Sequence, residues 1–371
     1  MQMFNFNNEI NDSAVKELSH YLEECRTNIS LQQMHLSGAG VTYLLERKLC
    51  NYYKKKFALC FSNGTTALHA ICLAMDLKNS EIISSPINWG GSIAPFLLHK
   101  NKIRFTSFNE LSLNLSINDL VNAITSNTKA VLSVDFNGTP VDSHKIKNVC
   151  ENHGLFYISD SAQSFGAYFM NKPAGFFADV IVLSFSAGKS VFAGEGGAIL
   201  TDREDLYEKL LWYSQHPLKQ KSILGLSSFN EYSPLNGRMN PLSAILLNET
   251  FEQNLEKLKV SQKQHFYLVK KLTEEGFIEK PKQISSFYAS TYFNLIFRLK
   301  RSSNLQKLNQ FFQKAKLPFE AAPAIIKLIP FEKIFQKQFK DNFNCTERLK
   351  LQYKAFNPLT SIKLERVDIV H

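Results

Sequence analysis

The chain has 371 residues, of which 44% are hydrophobic, and this length is sufficient for two domains with a substantial core. No apolar run reaches membrane-spanning length, and the N-terminus lacks the basic start and apolar stretch of a signal peptide. The net charge of +10 suits an anionic ligand such as a nucleotide diphosphate, whereas Lys54–Lys56 is interpreted as solvated surface rather than a nucleic-acid-binding face.

Strand-like apolar runs alternate with helical patterns, which predicts an α/β fold with a mostly parallel sheet between two layers of helices. The predicted strands are 57–61, 81–84, 103–106, 129–134, 155–159, 179–185 and 197–201. The predicted helices are 41–54, 66–76, 90–99, 117–125, 142–152 and 203–214, with Ser116 and Asp142 in N-cap positions.

The pattern changes in the last third of the chain. A long helix over about 240–271 is followed by a strand at 292–299 and a helix at 304–314. We therefore expect a large cofactor-binding domain over residues 1–250 and a smaller C-terminal α/β domain over residues 251–371.

The cysteines are scattered along the chain. They show no C-x-x-C pair and no accompanying histidine cluster, so the sequence predicts no metal site. We expect reduced thiols in a cytoplasmic protein. The cysteines are Cys25, Cys50, Cys60, Cys72, Cys150 and Cys345.

A small-residue turn follows the first predicted strand and begins a helix. Gly64, Thr65 and Thr66 lie at this helix start, where backbone N–H groups and two hydroxyls form an anion site suited to a phosphate. Two threonines at this position are also good helix caps, so the segment taken alone leaves both interpretations open.

Two ionisable residues lie at the ends of later strands. Asp160 ends a buried strand, and a carboxylate there keeps a ring nitrogen protonated, although an Asp after a strand is also a common helix cap. Lys189 follows the next strand among small residues, and a lysine that loses its proton there acts as the amine of a Schiff base. A phosphate cradle, an Asp and a lysine in this order predict a pyridoxal 5'-phosphate (PLP) site.

The lysine segment also permits a second interpretation. Gly188-Lys189-Ser190 follows a strand as in a nucleotide-binding P-loop, but that motif requires a glycine where Leu183 stands. The glycine-rich residues 194–197 also break any helix that would follow.

Four elements occur together in order: S-x-G-T-x-A-L at Ser62, D-x-A-Q at Asp160, S-F-x-x-x-K at Ser184, and E-G-G at Glu195. With them, the chain resembles the DegT/StrS-type aminotransferases, which are PLP enzymes of fold type I that aminate keto-sugars. The resemblance extends from about Leu36 to Asn254.

The resemblance implies further contacts with the cofactor. Gln163 corresponds to the family's residue near the 3-oxygen of the ring, and Ser184 to an additional phosphate ligand. Trp89 corresponds to the aromatic residue that stacks on the ring, and its alternative is a tryptophan buried in the core.

The segment Asn236-Gly237-Arg238-Met239 resembles the family's N-x-R-M element. The resemblance implies that Asn236 reaches the cofactor phosphate of a neighbouring subunit, and hence a homodimer with composite active sites. The family carries an aromatic residue where this chain has Gly237.

The function implied is transfer of an amino group from an amino acid, by resemblance glutamate, to a nucleotide-linked keto-sugar. The implied setting is biosynthesis of surface polysaccharide, such as lipopolysaccharide, or of another glycoconjugate. Two alternatives with the same fold remain: a PLP sugar dehydratase and a non-catalytic regulator. The dehydratases carry histidine in place of the Schiff-base lysine, and Lys189 therefore favours transamination.

Overall fold

The structure is a computed structural model that describes most of the chain. The described residues are 10–109, 112–226, 233–278, 288–291, 295–300, 303–317, 319–324 and 359–364. The predicted strand 292–299 lies partly outside them, and Cys345 lies outside them altogether. The other five cysteines carry free thiols.

The described strands and helices follow the predicted alternation. The strands are β1 (Phe57–Phe61), β2 (Glu81–Ser84), β3 (Lys102–Phe105), β4 (Thr128–Val134), β5 (Phe156–Asp160), β6 (Tyr168–Phe169), β7 (Lys172–Pro173), β8 (Val180–Ser184), β9 (Gly197–Thr201), β10 (Tyr288–Ala289), β11 (Leu295–Phe297), β12 (Phe319–Ala324) and β13 (Leu359–Leu364). The helices are α1 (Asp12–Cys25), α2 (Ile29–Met34), α3 (Val41–Tyr53), α4 (Gly64–Ala74), α5 (Gly90–Leu98), α6 (Ile117–Ala123), α7 (Ser143–Asn152), α8 (Glu204–Ser214), α9 (Pro217–Leu224), α10 (Pro241–Glu274) and α11 (Leu305–Lys314).

Seven strands form a sheet in the order β1-β9-β8-β5-β4-β2-β3. The strands β2, β3, β4, β5 and β8 run parallel, whereas β9 is antiparallel to both of its neighbours. This confirms the predicted α/β fold with a mostly parallel sheet. Three helices, α1, α2 and α9, were not predicted. The helix α2 has only six residues and α9 carries almost no apolar periodicity, whereas α1 is amphipathic and is capped by Asn11, so its signal was available and was missed.

Helices cover both faces of this sheet, as predicted. We call the face packed against α4, α5 and α8 the front face, where Leu68, Phe96 and Leu206 lie in one apolar cluster. On the back face, α6 and α7 pack on one half of the sheet, and α3 and α10 pack on the other. Because side chains alternate along a strand, Ile158 faces the front and Tyr157 faces the back.

The register brings the ends of several strands to one edge of the sheet. Val134 lies opposite Asp160, and Asp160 lies opposite Val182. The strand β1 also ends at this edge, because β9 is antiparallel to both β1 and β8. The turns that follow β1, β4, β5 and β8 therefore begin side by side.

The sequence located the elements of this sheet closely. The predicted strands and helices up to residue 214 all occur, and their ends differ by two residues at most. Asp142 caps α7 by accepting a hydrogen bond from the backbone N–H of Lys145 at 3.1 Å. Ser116 occupies the N-cap position of α6 without a side-chain bond to the helix.

The strand β10 pairs with β6 in a three-stranded sheet of order β10-β6-β7, and the elements α11, β11 and β12 pack on the end of α10. The strands β11, β13 and β12 form a small antiparallel sheet. Leu268 and Leu272 of α10 share an apolar cluster with Leu308, Phe312 and Phe319. The predicted boundary at residue 250 lies within α10, and the division into two domains stays a prediction. Among the described residues, no helix has the length and apolarity that crossing a bilayer requires.

Candidate active site

The N-terminus of α4 lies at the edge where the strands end. Asn63 caps the helix by accepting a hydrogen bond from the backbone N–H of Thr66 at 2.7 Å. The Ser62 hydroxyl donates to the Thr66 hydroxyl at 3.2 Å. The first N–H groups of a helix and its dipole favour an anion at this position, so the predicted phosphate cradle has the required local structure.

Two glycines bring this helix start against the neighbouring strands. A Cβ on Gly197 would lie 2.5 Å from the carbonyl carbon of Asn63. A Cβ on Gly64 would lie 3.2 Å from the carbonyl oxygen of Leu183 and 3.5 Å from Cβ of Ser184. The structure therefore places Ser184, which is 9% exposed, directly beside the predicted cradle.

Asp160 ends β5 and is 4% exposed. Its Oδ2 accepts a hydrogen bond from the Ser92 hydroxyl at 2.5 Å, and its Oδ1 accepts one from the backbone N–H of Ala162 at 3.1 Å. Burial raises the pKa of this carboxyl, because the charged form loses its contact with water. The two hydrogen bonds and the charge of Lys189 oppose that rise.

Lys189 lies in the turn after β8, where its backbone N–H donates to the carbonyl of Ser186 at 3.1 Å. Gly188 adopts a φ of 82° in this turn, a left-handed backbone conformation that residues other than glycine rarely adopt. Burial lowers the pKa of the Lys189 amine, and the charge of Asp160 raises it. A partly buried amine whose charge interacts with a buried carboxylate has the setting that a nucleophilic lysine requires.

The amide of Gln163 has a defined orientation. Its Oε1 accepts a hydrogen bond from the backbone N–H of Asn137 at 2.8 Å. Since the amide oxygen accepts this bond, the NH₂ group lies on the other side of the amide and is the group that can donate a hydrogen bond. A donor suits the 3-oxygen of a pyridoxal ring.

Trp89 is 72% exposed, so the interpretation as a buried core tryptophan is wrong. A Cβ on Gly91 would lie 2.9 Å from the Thr65 hydroxyl oxygen and 3.0 Å from Cδ1 of Trp89. The glycine thus lets the indole and the hydroxyl come close together at the starts of α4 and α5. The indole stands open at the predicted site, where a flat ligand can stack on it.

The segment containing Asn236 lies beside the cradle of its own chain. The carbonyl of Gly237 accepts a hydrogen bond from the backbone N–H of Ser62 at 2.8 Å. A Cβ on Gly237 would lie 2.7 Å from Cγ2 of Thr66, so this packing has no room for the aromatic residue of the family. The Asn236 side chain accepts a hydrogen bond from Arg238. The predicted contact of Asn236 with a neighbouring subunit stays a prediction.

Two residues at this edge were missed by sequence reasoning. Ser92 belongs to α5, and nothing in the sequence signals its hydrogen bond to Asp160, 68 positions away. Asp135 follows β4, and a signal was available, since it ends a buried strand as Asp160 does. Asp135 is fully buried and accepts hydrogen bonds from the hydroxyls of Ser161 and Ser164, each at 2.8 Å.

The structure argues against the P-loop interpretation. A P-loop passes directly into a helix, whereas residues 190–196 form turns and lead into β9. Within the described part of the chain, no group of three or more His, Cys, Asp or Glu side chains is arranged to hold a metal ion.

A model of the DegT/DnrJ/EryC1/StrS aminotransferase family matches residues 19–370. The chain belongs to this family. It is 30% identical to the UDP-4-amino-4,6-dideoxy-N-acetyl-beta-L-altrosamine transaminase of Helicobacter pylori over 196 residues, 52% of each chain. It is 30% identical to the spore coat polysaccharide biosynthesis protein SpsC of Bacillus subtilis over 206 residues, 55% of this chain and 51% of SpsC. The matched region spans about half the length of these curated relatives.

A solved structure shares the fold over almost the whole chain. The Escherichia coli GDP-4-keto-6-deoxy-D-mannose-3-dehydratase with bound hydrated PLP has a TM-score of 0.72 and 19% identity. The similarity covers 99% of this chain and 97% of the dehydratase. The predicted family and the fold-type I architecture are thereby confirmed.

The first prediction concerns the charge of Asp135. Burial, assisted by the charge of Asp160, raises its pKa from 3.8 to about 6. Between these values the folded chain retains a proton that the unfolded chain has lost, so stability falls as the pH rises through this window. Asp135→Asn removes the titration. In this variant the side-chain oxygen can still accept a hydrogen bond from the backbone N–H of Val141, as the carboxylate does. The side-chain NH₂ group can donate hydrogen bonds to the hydroxyls of Ser161 and Ser164.

The measurement is urea unfolding of both proteins from pH 4 to pH 7. The free energy of unfolding of the wild type, minus that of Asp135→Asn, should fall by about 2 kcal/mol over this range. A difference that does not change with pH would contradict the assignment.

Proposed function

We propose that the protein is a PLP-dependent aminotransferase that transfers an amino group from an amino acid, glutamate, to a nucleotide-linked keto-sugar. The observation that carries the proposal is the electrostatic interaction of the buried Asp160 carboxylate with the partly buried Lys189 amine, at the sheet edge where α4 begins. The donor set fits PLP: an anion site, a carboxylate and an amine lie at one edge of the sheet.

The phosphate end would be held by the start of α4. The groups that would hold it are the backbone N–H groups of Gly64 and Thr65 and the hydroxyls of Thr65, Thr66 and Ser184, which lies beside Gly64. The helix dipole would stabilise an anion there in addition to these hydrogen bonds.

The ring end would be held by residues from three different turns. Asp160 would accept a hydrogen bond from the protonated pyridine nitrogen, and a positive nitrogen relieves the cost of burying the carboxylate. The NH₂ of Gln163 would donate to the 3-oxygen, and Trp89 would stack on one face. When bound, PLP supplies an electron sink for the pair of electrons released as a C–H bond breaks.

Lys189 would bind the cofactor covalently through Nζ and would then act as the base. Once a substrate amine has displaced it, a neutral Nζ would accept the proton from the substrate carbon and would then donate it to the adjacent cofactor carbon. Burial lowers the pKa of this amine, which is the direction that the role requires.

The substrate class is inferred from the relatives. One is named as a transaminase for a UDP-linked sugar, and another as a polysaccharide biosynthesis protein. The net charge of +10 agrees with an anionic nucleotide sugar. We infer a cytoplasmic enzyme that supplies amino sugars for lipopolysaccharide or another surface polysaccharide.

A sugar dehydratase is the second candidate, because the solved dehydratase shares this fold. Lys189 distinguishes the two, since by family resemblance the dehydratases have histidine at this position. A dehydratase would remove a hydroxyl from the sugar, whereas an aminotransferase would leave a new amine on it.

The second prediction tests this chemistry. Glutamate should convert the bound PLP to its amine form, and a 4-keto-6-deoxy sugar linked to UDP or GDP should restore the original absorbance. Asp160→Asn should slow the glutamate step by at least ~10²-fold, because the ring nitrogen is then less readily held protonated. The exposed Asp76→Asn is the matched control and should react like the wild type.

Mass spectrometry of the sugar product completes this test. An amino sugar supports the aminotransferase, whereas a deoxygenated sugar without nitrogen supports the dehydratase. If bound PLP does not react with any amino acid, the proposed function is wrong.

We further propose a homodimer in which Asn236 contributes to the partner's phosphate site. The indole of Trp89 and several apolar side chains near the start of α3 are exposed, including Met34, Tyr43 and Leu44, and a second copy could cover them. A symmetric dimer places the same patch on both sides of the interface.

The third prediction tests the shared sites. Chains with Lys189→Ala and chains with Asn236→Asp should each form inactive dimers, since a carboxylate at 236 would repel the phosphate. Co-expression with two different tags isolates the mixed dimer. It should regain about half of the wild-type activity, because one of its two sites receives both intact residues. An inactive mixed dimer would show that Asn236 does not act across the interface.

A further inference from the structure

The turn after β5 carries both groups proposed to hold the cofactor ring. Asp160 precedes it and Gln163 lies within it, and the backbone N–H of Ser164 donates to the carbonyl of Ser161 at 3.1 Å. The short backbone segment from Asp160 to Ser164 thus determines the directions of the Asp160 carboxylate and the Gln163 amide. Any motion of this turn would displace both groups together.

The turn is held from the front by α5. The Ser92 hydroxyl donates to Oδ2 of Asp160, and Ser92 is itself 4% exposed. This bond fixes the carboxylate. Two further bonds reach the turn from other elements: the backbone N–H of Ser161 donates to the carbonyl of Val182 at 2.9 Å, and the Thr291 hydroxyl donates to the carbonyl of Gln163 at 3.0 Å. The hydroxyls of Ser161 and Ser164 have a separate attachment.

Asp135 supplies that attachment from the back face. Its Oδ2 accepts hydrogen bonds from the hydroxyls of Ser161 and Ser164, which flank Gln163 on the turn. Its Oδ1 accepts the backbone N–H of Val141 at 2.9 Å, which anchors the carboxylate to its own strand end. One fully buried carboxylate therefore holds two points of the turn, three residues apart.

The residues after Asp135 contact the turn as well. The backbone N–H of Asn137, which has a φ of 60°, donates to Oε1 of Gln163. Gly138 accepts hydrogen bonds from Ser290 and Thr291, so this segment is itself fixed. Asp135 and Asn137 thus hold the backbone and the side chain of the same functional turn.

Burying the Asp135 carboxylate costs free energy, because its charged form loses its hydration. Its hydrogen bonds offset part of this cost. Ionised carboxylates are rarely fully buried unless their oxygens are satisfied. The charged and titratable groups around Asp135 are Asp160 on β5, Tyr53 on α3 and Tyr157 on β5. Hydroxyls and one backbone amide are the donors that satisfy it.

We propose that Asp135 is a positioning residue, which holds Ser161 and Ser164 so that the Asp160 carboxylate and the Gln163 amide meet the PLP ring as one rigid unit. The proposal rests on the proposed function, because it takes the PLP ring as the group that these two side chains contact. Asp135 itself touches neither cofactor nor substrate.

The test compares four variants. Asp135→Ala removes the three hydrogen bonds, Asp135→Asn can replace them, and Ser164→Ala removes one. Thr201→Val is the matched control, because it deletes a buried hydrogen bond of 2.7 Å to the carbonyl of Asp179 at the opposite edge of the same sheet. The readouts are hydrogen exchange of residues 160–165 in the PLP-free protein and the equilibrium affinity for PLP.

Asp135→Ala should speed exchange in this turn and weaken PLP affinity by about 10-fold or more, the effect of losing one to two net hydrogen bonds. Asp135→Asn should restore both to near wild-type values, and Ser164→Ala should lie between the two. Thr201→Val should leave both readouts unchanged while lowering the stability. If Asp135→Ala is insoluble, the remaining two variants still test the proposal, because Ser164→Ala should weaken PLP affinity and speed exchange whereas Asp135→Asn should resemble the wild type.

The proposal is overturned if the wild type binds PLP while Asp135→Ala or Ser164→Ala retains wild-type exchange and affinity. It is also overturned if Thr201→Val weakens PLP binding as much as Asp135→Ala, because general stability would then be the cause. A wild type that binds no PLP would overturn the proposed function first, and the positioning role with it.

Discussion

The site depends on the burial of one carboxylate, that of Asp160 at the end of β5. Asp160 has almost no contact with water, and burial disfavours its charged form. The Ser92 hydroxyl and the backbone N–H of Ala162 compensate in part, and the amine of Lys189 adds an opposite charge. In the proposed complex a protonated ring nitrogen would complete this compensation, and binding of that species would then stabilise the protein.

The sheet explains why these groups meet. Parallel strands end at one edge, so residues from four separate turns come together although they are far apart in the chain. The glycines at 64 and 197 then let the start of α4 approach β8 and β9. The predicted anion site and the carboxylate are consequently held by a helix start and a strand end, whereas the amine of Lys189 is carried by the segment between β8 and β9.

Much of this arrangement was predictable from local sequence. The strands and helices of the large sheet follow apolar periodicity, and the motifs around Gly64, Asp160 and Lys189 lie at strand ends that this periodicity locates. The predicted fold and family are confirmed, whereas the role of each site residue stays a prediction.

The remaining features depend on contacts that leave no local pattern. Ser92 and Asp135 act through hydrogen bonds to residues 68 and 26 to 29 positions away. Apolar context left a buried core tryptophan as the alternative interpretation of Trp89, but its place before α5 leaves it exposed. Helix packing around α10 likewise depends on tertiary contacts.

The most direct test of the account is the identity of the residue that binds the cofactor. The protein loaded with PLP should be reduced with borohydride, digested and mapped by mass spectrometry. We predict that the pyridoxyl group is found on Lys189, and that Lys189→Ala yields no labelled peptide. A label on any other lysine, or a wild type that retains no PLP, would contradict the central claim.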